Sequence, residues 1–281
     1  MRQYAAGRWC ELPVTEDGVI DLSALEDALN ERRPGLVCVM AANNETGAVQ
    51  PWRDALELCR ESGVPFHVDA AQWLGKRPLA ELAAAPSLTG CAHKCGGPKG
   101  VGFWRIPEGA AGAKIFLGGE QQHGHRAGTE DYPGAAGMLA AIRAREAEMG
   151  TVRQSWLKGR NRFEQRLRET IPGVIFACAD ADRLENTSLV LLPRHRNTRW
   201  VAQLDKRGFA VSTGSACATA KDGPSHVLGA QGVSAEGAER AVRVSALWST
   251  TDDDWQALAD AFSDVWGTLE AEATTSAVIE I

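Results

Sequence analysis

Hydrophobic and polar positions follow two rhythms along this chain. Leu22, Leu25, Ala28 and Leu29 recur at helical spacing after Asp21 and Ser23, which predicts an amphipathic helix. The apolar run at 36–40, after Pro34-Gly35, reads as a buried strand. Residues 55–62 read as a helix ended by Gly63, and 65–68 as a strand ending at Asp69. Ser87-Leu88-Thr89 is a short strand-like segment, and 102–106 reads as another strand. Strands alternating with helices predict a mostly parallel α/β sheet. From Tyr132 to about residue 168 the composition is helical, with a break expected near Gly150. A boundary in this stretch divides the chain into a large domain, 1–148, and a small C-terminal α+β domain, 149–281. Beyond it, 174–178, 188–192, 209–211 and 241–245 read as strands, and 199–206 and 254–269 as helices. Thr251 and three aspartates open the last helix, where negative charge suits the helix dipole. Residues 273–281 are expected to fray.

Composition narrows the class. The 281 residues are 44% hydrophobic and 23% charged, values of an ordinary globular protein with a packed core. A net charge of −6 argues against nucleic acid or anionic lipid as the main partner. No apolar run is long enough for a membrane span, and the amino terminus lacks the apolar centre of a signal peptide. A soluble cytoplasmic protein is therefore expected. The seven cysteines are scattered and form no CxxC pair, so neither a metal site nor a disulfide framework is expected.

Chemistry concentrates where ligands bind in open α/β sheets, beyond the carboxyl ends of strands. Asn43-Asn44-Glu45-Thr46-Gly47 follows the first strand, Asp69 ends the second, and Cys91-Ala92-His93-Lys94 follows the third. Singly, each has a bland reading: a turn, a helix cap, a loop lysine, a structural histidine. Their joint occurrence points to a site.

These motifs, in this order, resemble those of the class V aminotransferase-like pyridoxal-phosphate (PLP) enzymes, and among them the NifS/IscS-type cysteine desulfurases. The stretches that carry the resemblance are Asn43 to Gly47, His67-Val68-Asp69-Ala70-Ala71-Gln72 and Ala92-His93-Lys94 with Gly97-Pro98-Lys99-Gly100. Arg126-Ala127-Gly128-Thr129, Ser212-Thr213-Gly214-Ser215-Ala216-Cys217 and Val242-Arg243-Val244-Ser245 continue it. The resemblance implies the PLP-dependent transferase fold type I and assigns roles. Lys94 would form the Schiff base with PLP. Asp69 would pair with the pyridinium nitrogen, so that the ring can accept carbanion electrons. Asn44 and Gln72 would hydrogen-bond the phenolic oxygen or the imine, and His93 the phosphate. Thr129 would reach the phosphate of a neighbouring subunit, which implies a homodimer. Arg243 would hold the substrate carboxylate through a bidentate contact. Cys217 would take sulfur from L-cysteine as a persulfide, leaving L-alanine, because a thiolate is the nucleophile this step needs. Its small-residue surroundings resemble the long-loop type, which passes sulfur to a scaffold or carrier protein. Iron–sulfur assembly, tRNA thiolation and cofactor biosynthesis are all open as destinations.

The pattern also departs from the family. Family members begin well upstream, and their upstream region supplies a phosphate-binding Gly/Thr loop and a histidine stacked on the ring, so a truncated large domain is expected here. Cys91 stands where a phosphate-binding Ser is usual. His123 and His125 read as loop residues with no metal role. A selenocysteine-lyase-like enzyme and a truncated non-catalytic paralogue are the alternatives.

Overall fold

A computed structural model describes residues 9–107, 114, 116–214 and 224–277. The chain forms two compact units. One comprises Ala28–Ala42 and Gln50–Thr151; the other comprises the described residues of Met1–Asp27, Asn43–Val49 and Val152–Ile281. Each is built on its own sheet, parallel-rich in the first and antiparallel in the second.

Helix α1 (Leu22–Arg32) begins in the residues of the antiparallel unit and leads into β1 (Val37–Met40) of the parallel-sheet unit. Helix α2 (Trp52–Glu61) then separates β1 from β2 (Phe66–Asp69). A 3-10 turn over Leu79–Ala84 precedes β3 (Ser87–Cys91), and another over Ala92–Cys95 precedes β4 (Gly102–Arg105). The order is β1-β2-β3-β4, parallel except for β4. Register aligns Met40 with Asp69, and Asp69 with Thr89. Side chains alternate between faces along a strand. Val37, Val39, Phe66, Val68 and Leu88 therefore share one face, and all are buried. Helix α2 packs against β1 and β2, burying Trp52, Ala55, Leu56 and Cys59. Trp52 meets Trp73 edge-on, with ring centroids 6.0 Å apart. Full burial of a side chain such as Leu56 stabilises by about 2 kcal/mol. The opposite face carries Cys38, His67, Thr89 and Cys91, half-buried, with Met40 and Asp69 exposed.

The expected break near Gly150 does not occur. Helix α3 runs continuously over Tyr132–Thr170. One internal glycine costs only about 1 kcal/mol of helix stability, and Met149, Trp156, Phe163 and Leu167 are all buried along the same helix.

The antiparallel unit holds β5 (Ile175–Phe176), β6 (Thr187–Leu191), helices α4 (Asn197–Asp205), α5 (His226–Ala230) and α6 (Ala235–Ala238), β7 (Ala241–Ser245) and α7 (Asp252–Ala277). Helix α4 packs against β7 and α7, and Trp200 stacks between Phe262 and Trp266 at 5.6 and 6.3 Å. No strand forms at 209–211. Just beyond it, Ser212 and Arg243 of β7 form a reciprocal backbone pair at 3.1 and 2.7 Å. Helix α7 starts earlier and ends later than its pattern predicts, and it extends through 273–277, where fraying was expected. Thr251 and Asp254 cap it reciprocally: Thr251 Oγ1 accepts from the Asp254 N–H at 3.1 Å, and Asp254 Oδ2 accepts from the Thr251 N–H at 2.8 Å. Among the described residues, no helix is long and apolar enough to cross a membrane.

Candidate functional site

Parallel register brings the carboxyl ends of β1, β2 and β3 to one edge of the first sheet. Asp69 ends β2 with its side chain exposed, and its Oδ1 accepts from the Ala71 N–H at 2.9 Å. That contact is the bland capping role, and it also fixes where the carboxylate stands. Gln72 follows in the same turn, half-buried, and its side-chain oxygen accepts from the Lys76 ammonium.

One strand over, β3 ends at Cys91 and passes directly into the Ala92–Cys95 turn. Ala92 and Cys95 are buried and anchor this turn, while Lys94 is half-buried and His93 exposed. The Cys95 thiol donates to the Ala92 carbonyl at 3.2 Å, and the Gly97 N–H donates to the same oxygen at 2.9 Å. Gly96 closes the turn at φ 88, a conformation costly for residues with a Cβ. Lys94 thus sits in a short pinned turn just beyond β3, the strand that pairs with β2 and its Asp69.

His67 lies on the same face as Asp69, two residues earlier. Its Nδ1 is 2.8 Å from Ser87 Oγ and its Nε2 is 3.3 Å from Thr89 Oγ1. Trp104 Nε1 donates to the same Ser87 oxygen at 2.9 Å. Burial lowers the His67 pKa below the ordinary imidazole value, and the Asp69 charge opposes that shift. Thr129 is exposed, and its carbonyl, with that of Gly128, accepts from Arg126 Nη1 at 3.3 and 3.2 Å.

The remaining candidates belong to the antiparallel unit. Asn43 Oδ1 accepts from the N–H groups of Glu45 and Thr46 at 2.8 and 3.0 Å, which folds Asn43 to Gly47 into a tight turn. Asn44 is half-buried, and its carbonyl accepts from Arg243 Nη1 at 2.7 Å. Asn44 and Arg243, far apart in sequence, are therefore in direct contact. Cys217 lies outside the described residues. Among the other thiols, burial pushes Cys38 and Cys59 up to about 11 and raises Cys95 and Cys178 as well. Those four stay protonated at neutral pH and are poor nucleophiles.

Sequence reading assigned no role to His67 or Glu45, although both lie inside its motifs. The signal for His67 was its position two residues before Asp69 on a strand. Nothing in the sequence points to the partner of Glu45, which is Ser225.

Comparison with known proteins bears on the family and the fold. The aminotransferase class-V family model matches residues 7–258. A cysteine desulfurase of Cereibacter sphaeroides is 40% identical over 242 residues, covering 85% of this chain and 61% of its own length. A solved NifS-like protein superposes with a TM-score of 0.83 at 28% identity, over 95% of this chain and 71% of the other. A NifS-like protein from Rickettsia africae gives 0.80 at 26% identity, over 91% and 69%. The fold type I architecture implied by the motifs is the one these neighbours share. The chain spans less than two thirds of the length of curated cysteine desulfurases that it matches. With a family model matched across nearly its whole length, on a parallel sheet whose strand ends carry the family's motifs, this chain belongs to the class-V aminotransferase family.

Proposed function

We propose that this protein is a PLP-dependent cysteine desulfurase that converts L-cysteine to L-alanine and holds the sulfur as a persulfide on Cys217. What supports this reading is that Asp69 ends β2 and that Lys94 stands in the turn directly after β3, the parallel strand next to it. The donor set fits the cofactor: a carboxylate for a pyridinium nitrogen, an amine for an aldehyde carbon, and Asn44, Gln72 and His93 as hydrogen-bonding groups. Bound PLP supplies an electron sink for the carbanion electrons of the substrate.

In this reading, Asp69 keeps the proton on the ring nitrogen. Lys94 anchors the cofactor and moves the Cα proton. Arg243 binds the substrate carboxylate, oriented by its hydrogen bond to the Asn44 carbonyl. The Cys217 thiolate forms a sulfur–sulfur bond as the substrate Cβ–S bond breaks. The electron pair stays with the carbon skeleton, which takes up protons and leaves as alanine. The persulfide sulfur then passes to a scaffold or carrier protein. We further place the protein in the cytoplasm as a homodimer in which Thr129 serves the phosphate of the neighbouring subunit.

A second reading is a paralogue that keeps the fold without the catalysis. Titration of PLP into the purified chain, followed by L-cysteine, separates the two. The proposal expects a near-visible absorbance, alanine release and a persulfide at Cys217. Lys94→Ala should lose the absorbance and the turnover; Cys217→Ala should keep the absorbance and lose the persulfide. Folded chain without absorbance overturns the proposal in favour of the paralogue. Undiminished cysteine cleavage by Cys217→Ala would instead favour a selenocysteine-lyase-like enzyme.

A further inference from the structure

Gln72 and Lys76 stand in one run of turns that follows Asp69 at the end of β2. Asp69 Oδ1 accepts from the Ala71 N–H, and the Ala70 carbonyl accepts from the N–H groups of Trp73 and Leu74 at 2.9 and 3.2 Å. The Trp73 carbonyl accepts in turn from the N–H groups of Lys76 and Arg77, both at 3.0 Å. Trp73 and Leu74 are buried, and Trp73 Nε1 donates to the Pro78 carbonyl at 3.1 Å. Gly75 makes the bend before Lys76 at φ 72, in the left-handed region that favours glycine. The backbone from Asp69 to Arg77 is therefore pinned, and with it the points from which both side chains spring.

On this frame the Lys76 ammonium donates to the side-chain oxygen of Gln72, and both residues are half-buried. An ammonium has three donors and no acceptor, so it can bind the oxygen of a carboxamide and not its NH2 group. A carboxamide without such a partner can present either end to a ligand. With its oxygen held by Lys76, Gln72 keeps its two N–H donors for another group. An ionised phenolic oxygen only accepts, and these donors match it.

We infer that Lys76 is a positioning residue: its ammonium holds the Gln72 carboxamide by the oxygen and so commits the NH2 end to the phenolic oxygen of PLP. Lys76 lies beyond the His67–Gln72 motif, which gives it no role. The consequence for the cofactor rests on the reading of Gln72 as a PLP-binding residue. The hold on the amide rests only on the contact between the two side chains.

Titration of PLP into the purified full chain, followed by its near-visible absorbance, measures the affinity. Lys76→Met keeps the length of the side chain and removes its donors, so the amide is free to turn. It should weaken PLP binding about fivefold, the loss of one hydrogen bond. Lys76→Arg keeps a cationic donor and should stay within about twofold of the parent. In a Gln72→Leu background, Lys76→Met should change the affinity by less than about twofold, because its effect passes through the missing amide. A merely structural role, or a direct pull of the ammonium on the anionic cofactor, would survive in that background. An equal loss there, or an unaltered affinity in Lys76→Met alone, overturns the inference. Lys76→Ala carries the same expectations should the Met variant fail to fold. A second readout needs no cofactor. In the PLP-free chain, the Gln72 carboxamide carbon resonance should move upfield in Lys76→Met, where its oxygen loses the ammonium, and hold its place in Lys76→Arg. An unmoved resonance in Lys76→Met sinks the hold on the amide. A parent chain that binds no PLP would instead sink the cofactor reading, and the carbon resonance would still decide whether Lys76 orients Gln72.

Discussion

His67 and Asp69 stand two residues apart on β2, on the half-exposed face of the sheet, and their charges are coupled. Burial favours the neutral imidazole, so the folded-state pKa lies below the ordinary value of 6.5. Between that lowered value and 6.5 the unfolded chain binds more protons than the folded one, and stability falls as pH drops through the window. Urea denaturation at a series of pH values from 7.5 downward should show this loss, and His67→Asn should flatten it. An unaltered slope in that variant would mean that another group carries the dependence. At this scale the sequence marked Asp69 and Lys94 as candidates, because one ends a strand and the other follows one within a recognisable motif. It showed nothing of His67's contacts with Ser87 and Thr89, since those partners are set by the register of β2 against β3.

Elements were legible where pattern and length agreed. The apolar runs of β1, β2 and β7 fall where the sequence predicts strands. The pattern misled at Gly150, where a breaking residue was weighed without the burial on either side of it. A Cβ at Gly150 meets nothing within 4 Å, and the residue lies inside α3. Gly150→Ala should therefore stabilise the protein by about 0.5–1 kcal/mol, seen as a raised melting temperature. The same helix carries Glu164, buried against the antiparallel sheet. Glu164 accepts a two-pronged contact from Arg183, at 3.0 and 3.2 Å, and a hydrogen bond from Ser188 at 2.8 Å. Removing one partner of a buried ion pair leaves the other charge uncompensated. Glu164→Ala should cost about 3–5 kcal/mol in chemical denaturation. A loss below about 1 kcal/mol would mean that water reaches Arg183 in the variant.

At the scale of the whole molecule, the parallel-sheet unit exposes large apolar side chains: Phe116 at 61%, Leu117 at 84% and Tyr132 at 79%. Such groups suit a surface covered by a second copy of the chain. Sedimentation should therefore give about twice the chain mass of 30.1 kDa, and Leu117→Glu should shift the mass toward the monomer. A parent chain that sediments as a monomer at micromolar concentration would refute the homodimer. By itself, the sequence determined the alternation of helices and strands, the fold type I family and the residue types that chemistry requires, because these depend on periodicity and on motifs contiguous in the chain. Only the tertiary structure decided that Asn43–Val49 groups with the C-terminal sheet rather than with β1, that Arg243 grips the Asn44 carbonyl, and that Ser225 donates to Glu45. Those contacts join residues separated by most of the chain, and a buried polar group chooses its partner by position in space, which no local pattern encodes.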